Sequence, residues 1–131
     1  MATVEVRFSP LPVHVRTARL IAATAARRAG VDDDILPELR LAVGEACSRA
    51  VGLHMAAGLD EPVVICLHMG GGRFGVEVAD AVPLELHGRS ERSETSLGLA
   101  LISGLVDDVE IRPATDGVVV RMSWPTKPNS G

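Results

Sequence analysis

The chain has 131 residues, 47% of them hydrophobic and only 2% aromatic, and a formal net charge of −4. This length is typical of one domain, and aliphatic side chains must fill most of its core. An acidic chain lacks the basic surface that nucleic-acid binding needs, so we expect no direct contact with DNA or RNA. Lys127 is the only lysine, which excludes mechanisms that use a lysine inside the domain, such as a P-loop.

The sequence also bears on location and metal content. No apolar run approaches the roughly 20 residues that cross a bilayer, and the first residues lack a secretory signal pattern. We therefore expect a cytoplasmic protein without membrane attachment. The four histidines have no metal-ligand spacing, and Cys47 and Cys66 lie in apolar runs. This pattern predicts no metal site and two buried free thiols.

The first half of the chain predicts one strand and two helices. Alternation over residues 3–8 favours a half-buried strand, which the prolines of residues 9–12 end. An alanine-rich helix with several arginines follows and stops at Gly30. The three aspartates of residues 32–34 offer an N-cap for a second helix, which carries an apolar stripe and ends within residues 53–58.

The second half predicts two hairpins with a loop and a helix between them. Two apolar runs, 63–69 and 73–80, flank three glycines and favour a hairpin. The polar residues 81–95 are typical of a loop, and residues 96–106 of a helix. Residues 109–124 indicate a second hairpin.

This order of elements predicts an α+β two-layer sandwich. Adjacent hairpins require an antiparallel or mixed sheet, and we expect a mixed, mostly antiparallel sheet covered on one face by helices. Residues 1–124 would form a single domain, and residues 125–131 a disordered tail.

Asp80 is the first candidate for a functional site. It shares the strand parity of Phe74, Val76 and Val78, so its carboxylate should point to the buried side at the strand's end. A buried charge needs a partner. That partner could be a ligand, or the Asp could cap the turn before Pro83.

Glu45 and Gly98 are weaker candidates when taken alone. Glu45 flanks the apolar stripe of the second helix with Arg49 one turn later, which fits either an exposed ion pair or a general base facing a pocket. Gly98, at the start of the later helix, could let the backbone approach a phosphate or could allow close helix–sheet packing.

Together these features resemble a known ATP-binding fold. A helix with an acidic residue precedes a strand ending in Asp, a polar loop and a Gly-Leu helix. The segments that carry the resemblance are residues 4–9, 41–48, 76–80, 97–102 and 107–111. They are similar to the GHKL (Bergerat) fold and, within it, to the small bacterial anti-sigma factors that are also serine kinases.

The resemblance implies a role for each matching residue. Glu45 stands where the family's general base would activate a partner's serine hydroxyl. Asp80 stands where the family's Asp accepts from the exocyclic amine of adenine. Ser96, Gly98 and Leu99 stand at the phosphate-side glycine box, with Ser96 replacing a glycine common there.

Two further assignments follow from the same resemblance. Residues 83–96 would form the ATP lid. Arg19 falls where the family uses an arginine to grip its protein partners.

The chain departs from the family pattern at positions that matter for nucleotide binding. Arg49 replaces the asparagine that coordinates Mg²⁺, and a guanidinium cannot ligate a metal. It could instead contact phosphates directly or pair with Glu45. Residues 81–84 lack the two glycines that usually shape the adenine pocket.

These departures predict a degenerate member of the family. We expect a regulator of transcription that acts by partner switching with a sigma factor, a STAS-type anti-anti-sigma protein, or both, with ATP or ADP binding weakened or lost. The resemblance also allows a homodimer. One alternative is an active serine protein kinase acting on the STAS partner. Another is an interaction module of the same fold without a sigma-factor role.

Overall fold

The computed structural model describes residues 2–83, 102, 104, 106 and 108–127. The elements in these residues are β1 (Ala2–Phe8), α1 (Val13–Ala29), α2 (Leu36–Ala57), β2 (Val63–Gly70), β3 (Arg73–Ala79), β4 (Asp108–Pro113) and β5 (Val118–Pro125). Ile102 and Gly104 are also helical. The predicted α+β class and the order of these elements are confirmed.

The strands form one five-stranded sheet in the order β1-β2-β3-β5-β4. Each neighbouring pair of these described strands is antiparallel. Alternate residues of β2, β3 and β5 are buried against α1 and α2 in a single core, so both helices cover the same face. The other face carries charged side chains such as Glu5, Glu77 and Arg121 and is less buried, as expected for a two-layer sandwich.

The two helices begin and end at identifiable signals. Gly30, in the left-handed region with φ 101°, ends α1, and its backbone N–H donates to the carbonyls of Ala26 and Arg27. The predicted aspartate N-cap of α2 is wrong. Ile35 occupies the N-cap, and the Asp32 carboxylate instead accepts from the Asp34 N–H at 2.9 Å, closing a turn before the helix.

The core is aliphatic, as the composition requires. Phe74 and Trp124 are its aromatic members, with ring centroids 6.5 Å apart. Cys47 is buried, but the prediction of a second buried thiol is wrong. Cys66 is half-buried on the polar face of the sheet, because the inward parity of β2 belongs to Ile65 and its alternate neighbours.

Hydrogen bonding extends past the boundary predicted at residue 124. The Thr126 N–H donates to the Gly72 carbonyl at 2.9 Å, and the Lys127 N–H donates to the Gly30 carbonyl at 2.8 Å. Residues 128–131 lie outside the described part of the chain. Neither described helix has the length and apolar content needed to cross a bilayer.

Candidate functional site

The candidate site lies where α2 passes the end of β3. The alternation of β3 puts Phe74, Val76 and Val78 in the core, and Asp80 follows in the same parity. The Asp80 side chain has no exposed surface. The inward orientation predicted for this carboxylate is therefore confirmed.

Arg49 is the charged partner of Asp80. Its Nη1 donates to Asp80 Oδ2 at 3.1 Å, and its own side chain is only 6% exposed. A charge-assisted hydrogen bond of this kind is strong, and both partners are shielded from water. The sequence suggested Glu45 or phosphates as partners for Arg49. The prediction of a Glu45 pair is wrong, because the guanidinium turns to the strand end instead.

The other carboxylate oxygen is held by the backbone. Asp80 Oδ1 accepts from the Val82 N–H at 3.0 Å and from the Val118 N–H at 3.4 Å. The Asp80 N–H donates to the Val118 carbonyl at 3.1 Å, which ties the strand end to β5. Of the two alternatives for Asp80, turn capping is observed, because this carboxylate accepts from the Val82 N–H just before Pro83. A ligand at Asp80 stays a prediction.

Gly117 makes this arrangement sterically feasible. A Cβ on Gly117 would lie 2.7 Å from the Asp80 carbonyl carbon and 2.8 Å from Oδ1. Its φ is not positive, so the glycine is needed for space rather than for an unusual backbone conformation. The sequence indicated only a hairpin turn at this position.

His54 holds the next peptide of the same loop. The fully buried ring accepts from the Ala81 N–H at Nε2, at 2.9 Å, and lies 2.8 Å from the Glu61 carbonyl at Nδ1. An acceptor at Nε2 and a carbonyl at Nδ1 require the neutral tautomer with its proton on Nδ1. Sequence reasoning missed this residue. The available signal was a polar side chain four residues beyond Ala50, on the apolar stripe of α2.

Glu45 lies one turn before Arg49 on α2 and is half-buried. It makes no ion pair or hydrogen bond with any other residue that the structure describes. The alternative of an exposed ion pair with Arg49 is therefore wrong. No cation among the described residues neutralises this carboxylate.

Arg19 lies in a different part of the molecule. Its aliphatic stem crosses α2 at Gly44, where a Cβ would come within 2.6 Å of Arg19 Cδ. Together with Arg16 and Arg40 it lines a groove between the two helices. None of these three arginines forms an ion pair within the described residues.

The phosphate side of the site cannot be described in the same way. Ser96, Gly98 and Leu99 lie outside the described residues, as does the predicted lid at 83–96 apart from Pro83. The end of the helix predicted over 96–106 is visible at Val106, whose N–H donates to the Ile102 carbonyl at 2.9 Å.

In this arrangement Asp80 offers no exposed oxygen that adenine could reach, and Arg49 stands where the resemblance implies a Mg²⁺ ligand. Each oxygen of Asp80 already accepts from a protein donor, and the side chain is sealed from solvent. No group of three His, Cys, Asp or Glu residues able to hold a metal occurs in the described ranges. Arg49 Nε is buried without a hydrogen-bond acceptor, so the site carries an unused donor rather than an unused acceptor.

Comparison with known proteins identifies the family. A model described as a histidine kinase-like ATPase domain matches residues 8–124. The chain belongs to this family, and the resemblance to the GHKL fold is confirmed.

One solved structure extends the comparison to three dimensions. The RsbU and RsbW domains of Rv1364c from Mycobacterium tuberculosis match with a TM-score of 0.74 at 17% sequence identity. The match covers 96% of this chain but 32% of that chain, so this chain spans about a third of the matched one. At this identity the likeness shows the fold alone. No curated protein sequence matches the chain significantly.

Proposed function

We propose that this domain regulates transcription by protein partner switching, with ATP binding weakened or lost. Its partners would be a sigma factor, a STAS-type anti-anti-sigma protein, or both. The proposal joins the family membership to the resemblance that residues 41–48 and 76–80 bear to anti-sigma factors.

The buried Arg49–Asp80 ion pair is the observation that carries this proposal. Adenine recognition needs an acceptor at the strand end that a ligand can reach. Here Arg49 supplies the donor from within the chain, at 3.1 Å and out of contact with water. A nucleotide would have to displace a charge-assisted bond and leave two buried ions to find new partners, which is costly.

The arginines between α1 and α2 support the partner-binding half of the proposal. Arg16, Arg19 and Arg40 converge on one groove in a protein whose net charge is −4. Cations that have no ion-pair partner among the described residues, gathered at one place on an acidic protein, favour an acidic partner surface, both by steering and by complementarity. Sigma-factor binding needs such a surface and does not need catalysis.

Calorimetry separates a closed pocket from a working one. ATP and ADP are titrated, with and without Mg²⁺, into the native chain and into Arg49→Asn. We expect no binding to the native chain and measurable binding to Arg49→Asn, because the substitution frees Asp80 Oδ2. Micromolar binding of ATP to the native chain, abolished by Asp80→Asn, would contradict the closed pocket.

Titration with candidate partners tests the surface. Sigma factors and STAS proteins of the source organism are titrated into the native chain and into Arg19→Glu. We expect one of them to bind the native chain and to lose at least about tenfold in affinity for the variant. Arg73→Glu, on the opposite face of the sheet, is the matched control and should bind as the native chain does.

A second candidate is an active serine protein kinase that phosphorylates the STAS partner. Glu45 favours it, because this carboxylate is half-buried and has no cationic partner among the described residues. It could accept the proton of a partner's serine hydroxyl. Phosphate transfer to the STAS protein that Glu45→Gln abolishes would establish this candidate, and absence of transfer at saturating Mg-ATP would eliminate it.

A further inference from the structure

Gly44 lies in the interior of α2, where glycine is unfavourable. A glycine weakens a helix interior relative to alanine, because it orders a more flexible backbone and adds no side chain. Gly44 is buried and does not have a positive φ, so no unusual backbone conformation requires a glycine. The reason for this residue is therefore expected to be steric.

The space beside Gly44 is filled by the Arg19 side chain of α1. A Cβ at position 44 would lie 2.6 Å from Arg19 Cδ and 3.4 Å from Arg19 Cγ. The first distance is well inside the roughly 3.5–4.0 Å at which two carbon atoms attract each other. The Arg19 stem thus occupies the place of a Cβ, in a contact that we call the Gly44 seat.

The Gly44 seat holds Arg19 at the boundary between two parts of the groove that separates α1 and α2. One part has a volume of about 380 Å³ and is lined by apolar side chains such as Val51 and Met55. The other part has a volume of about 190 Å³ and is lined by Arg40. Arg19 lines both parts, so the direction of its guanidinium decides where the groove offers its central positive charge.

The charge of Arg19 also lies close to α2. Burial raises the pKa of the Cys47 thiol to about 12, and the nearby charge of Arg19 acts in the opposite direction. Cys47 follows Gly44 by about one turn of the helix. No ion pair within the described residues holds Arg19 there. The packing of its stem against α2 is the contact that fixes it.

An arginine that is already fixed binds an acidic group at a smaller entropic cost than a mobile one. Long charged side chains have many rotamers in solution, and association must immobilise them. The Gly44 seat restricts the Arg19 stem before any partner arrives. Its guanidinium is the end of the side chain that remains free to donate hydrogen bonds.

We propose that Gly44 is a positioning residue for partner binding, because the Cβ that it lacks leaves the space that holds Arg19 in the groove. This inference rests on the proposed function, which assigns the grip on a protein partner to Arg19. The displaced group in Gly44→Ala would be a flexible side chain rather than backbone, so we expect this variant to stay folded while its Arg19 moves.

Nuclear magnetic resonance tests the Gly44 seat without a partner. In the native chain we expect nuclear Overhauser effects between the Hδ protons of Arg19 and the Hα protons of Gly44. Gly44→Ala should abolish them and shift the Arg19 signals. Gly52→Ala is the matched control in the same helix, because a Cβ there meets nothing within 4 Å, and it should leave the Arg19 signals unchanged. Absence of the contact in the native chain overturns the proposal.

Thermal unfolding tests whether the two residues are coupled. Gly52→Ala should raise Tm by about 2–4 °C, because alanine is the better helix former. Gly44→Ala should raise Tm less than this in the native chain, since its methyl group displaces the Arg19 stem. In an Arg19→Ala background it should raise Tm as much as Gly52→Ala does. An equal gain with and without Arg19 contradicts the Gly44 seat.

Titration with the sigma factors and STAS proteins of the source organism tests the positioning role. Gly44→Ala and Arg19→Gln should each weaken binding of the native partner at least about tenfold. Combining them should weaken it no further, because both remove the same positioned charge. Gly52→Ala should not weaken it. Native affinity in Gly44→Ala overturns the positioning role. If no candidate binds the native chain, the proposed function fails and the positioning role with it, whereas the Gly44 seat is still decided by the two experiments above.

Discussion

Arg49 of α2 and Arg19 of α1 differ in burial and in ion pairing. Arg49 is buried at the end of β3, and its guanidinium is bonded to Asp80. Arg19 lies at the groove between the helices and pairs with no acid among the described residues. The charge at the end of β3 is thus paired within the chain, while the arginines of the groove have no ion-pair partner in the described part of the chain. The proposed function assigns partner binding to the groove that contains Arg19 and not to the strand end that contains Arg49.

Removing the Asp80 carboxylate should have the largest effect on the stability of the protein. Asp80→Ala leaves Arg49 buried without a counterion, and we expect the free energy of unfolding to fall by about 3–5 kcal/mol. Urea denaturation measures the loss. Glu110→Ala, which breaks an exposed ion pair with Arg112, is the control and should cost no more than about 1 kcal/mol. Equal losses of stability in Asp80→Ala and Glu110→Ala would show that the buried ion pair matters no more than the exposed one.

A double variant separates the contribution of the Arg49–Asp80 charge pair to stability from that of the backbone hydrogen bonds to Asp80. Arg49→Met with Asp80→Asn removes both charges and keeps an oxygen for the Val82 and Val118 amides. We expect this double variant to be more stable than Asp80→Ala and its two substitutions to be non-additive by about 1–3 kcal/mol. A denaturant-based double-mutant cycle supplies the coupling energy, and simple additivity would contradict a specific pair.

Gly117→Ala tests the steric requirement of the same region. The added methyl group must displace the Asp80 backbone, so we expect a loss of about 1–3 kcal/mol in stability. Gly52→Ala is the matched control, because a Cβ there meets nothing within 4 Å. Since Gly52 lies inside α2, that substitution should stabilise by about 0.5–1 kcal/mol. The two changes should therefore differ in sign when compared by thermal unfolding.

Substitutions in the groove between the two helices should change stability only weakly, and the change should depend on salt. Arg16→Gln with Arg40→Gln removes two exposed like charges near Arg19. We expect the free energy of unfolding to change by no more than about 0.5 kcal/mol, as a gain at low salt that vanishes at high salt. A large loss of stability would show that these arginines support the fold rather than a surface.

The smallest expected effect is a difference between Cys47 and Cys66 in their reactivity toward thiol reagents. Burial raises the pKa of the Cys47 thiol to about 12, although nearby Arg19 lowers it. Burial also raises the pKa of the Cys66 thiol, and the nearby carboxylates of Glu5 and Glu77 raise it further. Because the thiolate is the nucleophile, both thiols should react slowly at neutral pH and faster as pH rises. In the native protein, a thiol reagent should label half-buried Cys66 and spare Cys47.

The sequence predicts the scaffold better than the site. Strand parity gave the inward direction of Asp80, and glycines or prolines placed the ends of α1 and the first hairpin, because these signals are local. The partner of Arg49 was missed because it is 31 positions away in sequence. The roles of His54 and Gly117 also depend on contacts across elements, which no periodicity reports.

The buried ring of His54 also provides a built-in spectroscopic reporter. Its Nδ1 lies 2.8 Å from the Glu61 carbonyl oxygen, and the residue is fully buried. We expect the Nδ1 proton to exchange slowly with solvent and to give a resolved downfield resonance. Any event that lifts the Ala81 peptide from the imidazole would shift or broaden that signal, so opening of the strand end can be followed by nuclear magnetic resonance before any ligand has been identified.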